Sequence, residues 1–261
     1  MILHAGTHKT GTTSIQMVLD QNRTWLHERG YLYPKFRPGY GHNALAHRLA
    51  LTEREHVHVR PAFEPASDHT LILSAEDFWG IIRSHEDWNE FCHPNYWQRR
   101  IEYLRRVRSA LCDFEEIVIL ICFRRQDEFA ASLYGTKILN GRFRGSFRDF
   151  RSRSKPLFNY RRQLDAFRAA FDKVRFTSFD ALKNNLVPAF CDWAGVPVPP
   201  KGMAKRLKIT PDARLVRWVH KHRTKGDPED LNKQRIAFAR SKYAATALPD
   251  DGNGTFLVIG S

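Results

Sequence analysis

Residues 2–16, ILHAGTHKTGTTSIQ, restrict what this chain can fold into more than any other stretch. Ile2-Leu3 is a short apolar run, and the small-residue segment after it holds Gly6, Lys9 and Gly11. Thr12, Thr13 and Ser14 then lead into an amphipathic pattern. A strand, a glycine loop and a helix N-terminus in that order make an anion cradle. The loop amides and the positive end of the helix dipole point at one small volume. The spacing of Gly6 and Gly11 matches the GxxxxG of a nucleoside-triphosphate loop, but Thr12 stands where that loop needs lysine. The lysine lies inside the loop, at Lys9. A glycine-rich turn without chemistry is the plain alternative.

The displaced lysine changes which oxygen an ammonium group reaches. In the triphosphate loop, lysine follows the second glycine and touches the β- and γ-phosphates, while Ser/Thr holds Mg²⁺. Lys9, earlier in the loop, is free to approach a bridging oxygen on the terminal group. HKTGTTS resembles the 5′-phosphosulfate loop of sulfotransferases that use 3′-phosphoadenosine 5′-phosphosulfate (PAPS), above all the carbohydrate and bacterial branches, whose loops read KTGTT or KSGTT. The resemblance implies that His8, Lys9, Thr10, Gly11, Thr12, Thr13 and Ser14 bind PAPS as co-substrate.

A second segment, residues 116–134, reads EIVILICFRRQDEFAASLY. Ile117 to Phe123 is a continuous apolar run, the pattern of a strand buried on both faces of a parallel sheet. It stops at Arg124 and Arg125, and a helical pattern through Phe129 and Leu133 begins at once. Arginine leaving the C-terminal end of such a strand lies where open α/β sheets bind ligands. Ser132 follows Arg124 by eight residues. RRQDxFxxSLY resembles the segment with which the same family holds the 3′-phosphate of PAPS, which implies that role for Arg124 and Ser132. A surface arginine pair with a helical serine is the alternative.

With 42 Lys+Arg against 28 Asp+Glu, the chain carries a formal charge of +14, enough to attract an anionic partner. The two phosphate-type motifs direct that charge towards a nucleotide and an anionic or carbohydrate acceptor rather than nucleic acid. Contact with a membrane face and the oligomeric state stay open. Cys92, Cys112, Cys122 and Cys191 are widely spaced and form no CxxC, so buried thiols in a reducing compartment are expected instead of a zinc site or a disulfide framework. No signal peptide is recognisable, and the run Ile117 to Phe123 is too short to span a bilayer. The expected location is the cytoplasm.

Strands and helices alternate along the chain. Ile15, Val18, Leu19 and Leu26 mark one helix face that Gly30 ends. Residues 33–69, rich in proline and histidine, read as an acceptor-side insertion with a short helix near Asn43 to Leu51. A strand follows at Thr70 to Ser74, then a helix from Tyr96 to about Leu111. The basic stretch 142–156 reads as a lid or a linker. Tyr160, Leu164, Phe167 and Phe171 form a helical stripe, and Val174 to Phe179 reads as a strand. A helix opened by Phe179 to Leu182 is expected to end before Gly195 and to break at Pro188. Residues 201–261 form a basic extension, helical near Leu215 to Val219 and glycine-rich at 249–254. The predicted fold is a single α/β domain over 1–261, three-layer α/β/α, with a central parallel sheet and a P-loop-like phosphosulfate-binding loop.

Sulfuryl transfer needs stabilised charge on the transferring group, help for the leaving phosphate and a base for the acceptor proton. Lys9 is the expected catalytic cation. Glu76, at the C-terminal end of TLILSAE, is the leading base, with a salt bridge or cap as its plainer role. Asp77 beside it reads as a helix cap. His42, in the irregular run Gly39-Tyr40-Gly41-His42-Asn43, is the rival base. No metal is expected. The expected activity is PAPS-dependent sulfotransfer to a hydroxyl or amine, with a carbohydrate favoured. The competing classes are a P-loop kinase using ATP-Mg²⁺ and a non-catalytic polyanion-binding protein. The lysine missing after Gly11 and the Arg124/Ser132 pair separate the first competitor, and the paired motifs separate the second.

Overall fold

The computed structural model of the protein describes residues 1–35, 42–51, 69–80, 91–200 and 213–222. The glycine-rich run 249–254, most of the 201–261 extension and much of the 33–69 insertion lie outside the described residues. Five strands form one sheet: β1 (Ile2–His4), β2 (Tyr31–Leu32), β3 (Thr70–Ser74), β4 (Val118–Phe123) and β5 (Lys173–Ser178). Their order is β2-β3-β1-β4-β5, and every neighbouring pair is parallel. In register, Ile2, Leu3 and His4 face Ile72, Leu73 and Ser74 on one side and Val118, Ile119 and Leu120 on the other. The predicted α/β class with a central parallel sheet is what the chain forms.

Helix α1 (Thr12–Gln21) begins at the predicted end of the glycine loop and buries Ile15, Val18 and Leu19. The expected run to Gly30 is split. Asn22 turns the chain, its side chain donating to the Val18 carbonyl at 2.7 Å, and α2 (Arg23–His27) follows. An asparagine amide serves the stranded carbonyls of the helix end, a role that apolar periodicity does not register. These helices and α10 (Leu186–Ala194) bury one cluster with Ile2, Ile72 and Leu120 on that face of the sheet. Each large aliphatic buried there is worth about 1.5–3 kcal/mol. Leu120 points into this cluster, so Phe123, an odd number of residues on, points to the opposite face. There it meets Trp79 and Tyr160, and Trp79 stacks on Phe167 of α8 (Tyr160–Arg168). Helix α4 (Tyr96–Ala110) packs beside α8.

Pro188 does not break a helix. The break comes earlier, as α9 (Phe179–Leu182) passes through a 3₁₀ turn at Lys183–Asn185, and Pro188 sits in the first turn of α10. No intrahelical acceptor is needed there, so a missing N–H costs nothing. Gly195 then ends α10 in the left-handed conformation, φ 71°. Asp77 is not a helix cap. It lies within a 3₁₀ turn, Glu76–Phe78, and its amide is itself served by Asn43 Oδ1 at 3.3 Å. The predicted helix near Asn43 to Leu51 is present as α3 (His42–Leu51). Part of the basic stretch is helical. Helix α6 (Phe147–Arg153) starts with a capping box between Ser146 and Asp149 and buries Phe150, and α7 (Lys155–Phe158) follows.

The chain divides into two compact units, Met1–Tyr134 with Gly145–Thr210, and Gly135–Arg144 with Pro211–Ser261. Helix α5 (Gln126–Leu139) carries the chain from the first to the second. In the smaller unit, α11 (Ala213–His222) buries Val216 and Val219, and His220 Nε2 lies 3.2 Å from the Arg144 carbonyl. Among the described residues, no helix is long and apolar enough to cross a membrane.

Candidate functional site

Three connections leave the carboxyl ends of the adjacent strands β3, β1 and β4, and together they carry most of the residues singled out from the sequence. After β3 comes the turn with Glu76 and Asp77, after β1 the loop 5–11, and after β4 Arg124 and Arg125. The crevice outside these strand ends is the general ligand position of open parallel sheets.

The central loop is tied to β4 past the end of β1. The Ala5 amide donates to the Leu120 carbonyl at 2.9 Å, and the Thr7 amide and hydroxyl donate to the Cys122 carbonyl at 3.1 and 3.0 Å. The Thr10 hydroxyl closes the loop on the Thr7 carbonyl at 2.7 Å. Gly6 passes so near His4 that a Cβ there would lie 2.9 Å from the imidazole Nε2. Lys9 is in the left-handed region at φ 70°, the one non-glycine residue with positive φ among those described. That conformation costs an L-residue about 1–2 kcal/mol, so the surrounding structure must impose it. Gly11, at φ 77°, caps α1, and its carbonyl accepts from the amides of Ser14 and Ile15. The first amides of a helix have no intrahelical acceptor. Beside them, the buried Thr12 Oγ1 has no hydrogen-bond partner among the described residues. Thr13 is half-buried and Ser14 is buried on the same first turn.

On the β3 side, His8 connects the loop to the acidic turn. Its Nδ1 is 3.5 Å from Glu76 Oε1 and its Nε2 is 3.7 Å from Asp77 Oδ1. The other oxygen of Asp77 pairs with His47 Nε2 at 2.9 Å. The turn is anchored from below by the fully buried Arg100, which donates to the Phe78 carbonyl at 2.5 Å and to Gln163 Oε1 at 3.1 Å. Nothing in the sequence placed His47 or Arg100 here, because each reaches the turn from a different helix. Among the described residues, no group of three or more His, Cys, Asp or Glu side chains is arranged as a metal ligand set.

His42 lies at the start of α3, buried, stacked on Tyr33 with ring centroids 4.4 Å apart. Its Nδ1 accepts from the Ser74 amide at 3.1 Å and its Nε2 lies 3.1 Å from the Pro34 carbonyl. Burial holds its pKa down at about 4. His4, wholly buried opposite Ser74, pairs Nδ1 with the Ser74 hydroxyl at 2.9 Å and is likewise held by burial at about 4. Ser74 is thus a junction, and its carbonyl accepts from Gln16 Nε2 at 2.6 Å.

On the β4 side, the Arg124 guanidinium is held on three sides. Nε donates to Glu128 Oε2 at 3.0 Å, NH1 donates to the Lys9 carbonyl at 3.3 Å, and Cζ lies 5.8 Å from the centroid of the Phe179 ring. The Tyr160 hydroxyl fixes the Arg124 carbonyl at 2.6 Å. Ser132 is fully buried on α5. The structure therefore joins Lys9 to Arg124 and His8 to Glu76, while it keeps His42 beneath the end of β3 and Ser132 inside the molecule. Burial pushes the thiol of Cys122, beside the Thr10 hydroxyl, up to about 12.

No family model matches the chain, and no curated protein matches it. Among solved structures, the chain is similar to a sulfotransferase from Alicyclobacillus acidocaldarius, at 16% identity over 94% of each chain and with a TM-score of 0.40. Likeness at that level carries no weight for chemistry, which rests on the residues themselves.

Proposed function

We propose that this protein moves a sulfuryl group from PAPS to a hydroxyl or amine of an acceptor, with a carbohydrate as the acceptor class, and releases adenosine 3′,5′-bisphosphate. The observation that carries this reading is the junction of two anion-directed elements. A glycine loop with Lys9 inside it opens α1, and Arg124, just past the end of the adjacent strand β4, donates to that same lysine's carbonyl at 3.3 Å. The buried Thr12 hydroxyl, without a hydrogen-bond partner among the described residues, and the first amides of α1 are donors suited to a sulfate or phosphate oxygen.

PAPS supplies an activated sulfuryl group on a good leaving phosphate. The loop amides and the Thr12 hydroxyl would hold the phosphosulfate, with His8, Thr10, Gly11, Thr13 and Ser14 shaping that turn. Arg124 would hold the 3′-phosphate, a role that the motif also implies for Ser132, which is fully buried on α5. Lys9 would neutralise charge on the bridging oxygen as the S–O bond to phosphate breaks. Glu76 would take the acceptor proton as the new O–S or N–S bond forms. Glu76 suits this better than His42, both of whose ring nitrogens are engaged by backbone groups. His8 stands beside Glu76 at 3.5 Å and beside Asp77 at 3.7 Å. Four free cysteines, two of them buried, fit a reducing compartment and the cytoplasmic location that goes with this reading.

The test is transfer of labelled sulfate from PAPS over panels of acidic glycans, neutral glycans and phenols, with ATP-Mg²⁺ run in parallel. Labelled product from any panel supports the reading, and its panel names the acceptor class. Phosphoryl transfer from ATP without sulfate transfer would make the protein a kinase. Binding of acidic glycans with neither transfer would leave a polyanion-binding protein.

A further inference from the structure

We infer that Arg124 is a positioning residue for the Lys9 loop as well as a candidate anion reader, so that what happens at Arg124 is felt at Lys9. The inference rests on the reading above only where it concerns nucleotides. Lys9 occupies a backbone conformation that an L-residue keeps only when its surroundings impose it. A hydrogen bond reaches its carbonyl from outside the loop, donated by Arg124 NH1, 115 residues along the chain.

Arg124 is itself set for this task. Its backbone follows β4, the strand to which Ala5 and Thr7 are bonded, and its carbonyl is fixed by Tyr160. Glu128, one helical turn on, holds Nε and so turns the guanidinium's NH1 towards the loop. The Arg124 and Glu128 side chains are only 12% and 21% exposed, so water screens the pair weakly. Arginine can make these contacts at once because its donors form a rigid planar fork. Lysine offers a single ammonium and cannot span both partners.

An anion drawn to Arg124 would bear on the same guanidinium that holds the Lys9 carbonyl. Binding at one end of a nucleotide would then tighten or loosen the loop at the other, which is a coupling between two subsites. Such a link would favour Lys9 acting on a nucleotide that carries both of its anionic ends.

Hydrogen exchange on the ligand-free protein tests the clamp without any nucleotide. Arg124→Ala should speed exchange of the loop amides 5–11 by about 2- to 10-fold, the worth of one lost hydrogen bond, while β1 and β3 amides keep their protection. In a Lys9→Gly background the same change should have little effect, because glycine adopts positive φ unaided. Calorimetry with 5′-AMP, which has no 3′-phosphate, tests the coupling. Arg124→Ala should weaken it by a similar 2- to 10-fold, and adenosine 3′,5′-bisphosphate by more. Should Arg124→Ala fail to fold, Arg124→Lys replaces it in every arm, with the same faster loop exchange expected. Unchanged loop exchange in the arginine variant, or the same acceleration in both backgrounds, overturns the clamp. Equal losses for the two nucleotides would retain the clamp and remove the 3′-phosphate reading. Should neither nucleotide bind the unmodified protein, the nucleotide reading fails and hydrogen exchange alone decides the clamp.

Discussion

The amide of Ser74 donates to Nδ1 of His42 at 3.1 Å, which leaves the imidazole proton on Nε2, facing the Pro34 carbonyl. A neutral ring bonded to backbone at both nitrogens has no lone pair for a substrate proton, whatever its titration range. It braces the end of β3, and the next residue but one is Glu76.

The roles of the two residues therefore separate under mutation. Glu76→Gln is nearly isosteric and should leave PAPS binding close to normal, while turnover falls by about 10²–10⁴ and the acidic limb of the kcat/KM profile disappears. His42→Asn should retain that limb and lose stability instead. Rate and pH profiles of both variants decide it, and an unaltered Glu76→Gln enzyme would return the base role to another residue.

Stability should fall in mild acid. His4 and His42 each drop from the ordinary 6.5 to about 4 on folding, through burial. Below 6.5 the unfolded chain takes up protons that the folded chain refuses, so the stability present at neutral pH is lost as pH falls from 6.5 towards 4. Each histidine contributes roughly 3 kcal/mol across the whole window. Urea midpoints measured between about pH 7 and 4.5 should decline steeply, and His42→Asn should flatten the slope. A flat profile in the unmodified protein would contradict the burial of both rings.

Lys9→Ala should lower kcat by about 10²–10³ while changing bisphosphate affinity far less, if its ammonium acts, as proposed, on charge that develops during transfer. Alanine has the same difficulty with positive φ as lysine, so the loop's backbone strain is unchanged. Parallel turnover and calorimetry make the comparison. Near-normal turnover would leave Lys9 a structural loop residue.

Gly11 should resist replacement by alanine. At φ 77° an alanine costs about 1–2 kcal/mol in backbone conformation. Its Cβ would also lie 2.5 Å from Leu186 Cδ2, a side-chain end able to shift at some loss of packing on α10. Gly11→Ala should thus lower the urea midpoint and weaken nucleotide binding together. An effect on binding alone would mean that the start of α1 carries little of the fold's stability.

Sulfate transfer should survive excess EDTA. In the proposed reaction, Lys9, the loop donors and Arg124 would supply the positive charge for which a triphosphate loop relies on its lysine with Mg²⁺. Activity assayed with and without chelator decides it, and an absolute Mg²⁺ requirement would favour the kinase class.

Much of the fold could be read along the chain because its signals are local. The apolar run through Ile119 to Cys122 is buried throughout, as a central parallel strand must be, and Thr70 to Ser74 formed where the pattern placed it. The errors also have local causes. Asn22 and the turn at Lys183–Asn185 interrupt helices through side-chain and cap geometry that apolar periodicity does not see, and Pro188 fits a helix start as well as a break. Strand β2, two residues long, has too few alternating positions to declare itself.

Chain order alone settled that a glycine loop with an internal lysine would open a helix, and that arginines would follow a buried strand, since each depends only on neighbouring residues. The meeting of these pieces was decided by the sheet. Placing β1 between β3 and β4 puts the loop beside Glu76 on one side and Arg124 on the other, contacts spanning 68 and 115 residues. Packing of α3 against β3 and the turn after it also carried His47 to Asp77 and closed the nitrogens of His42, because a hydrogen bond between distant segments depends on which elements pack together, and no periodicity within either segment encodes that.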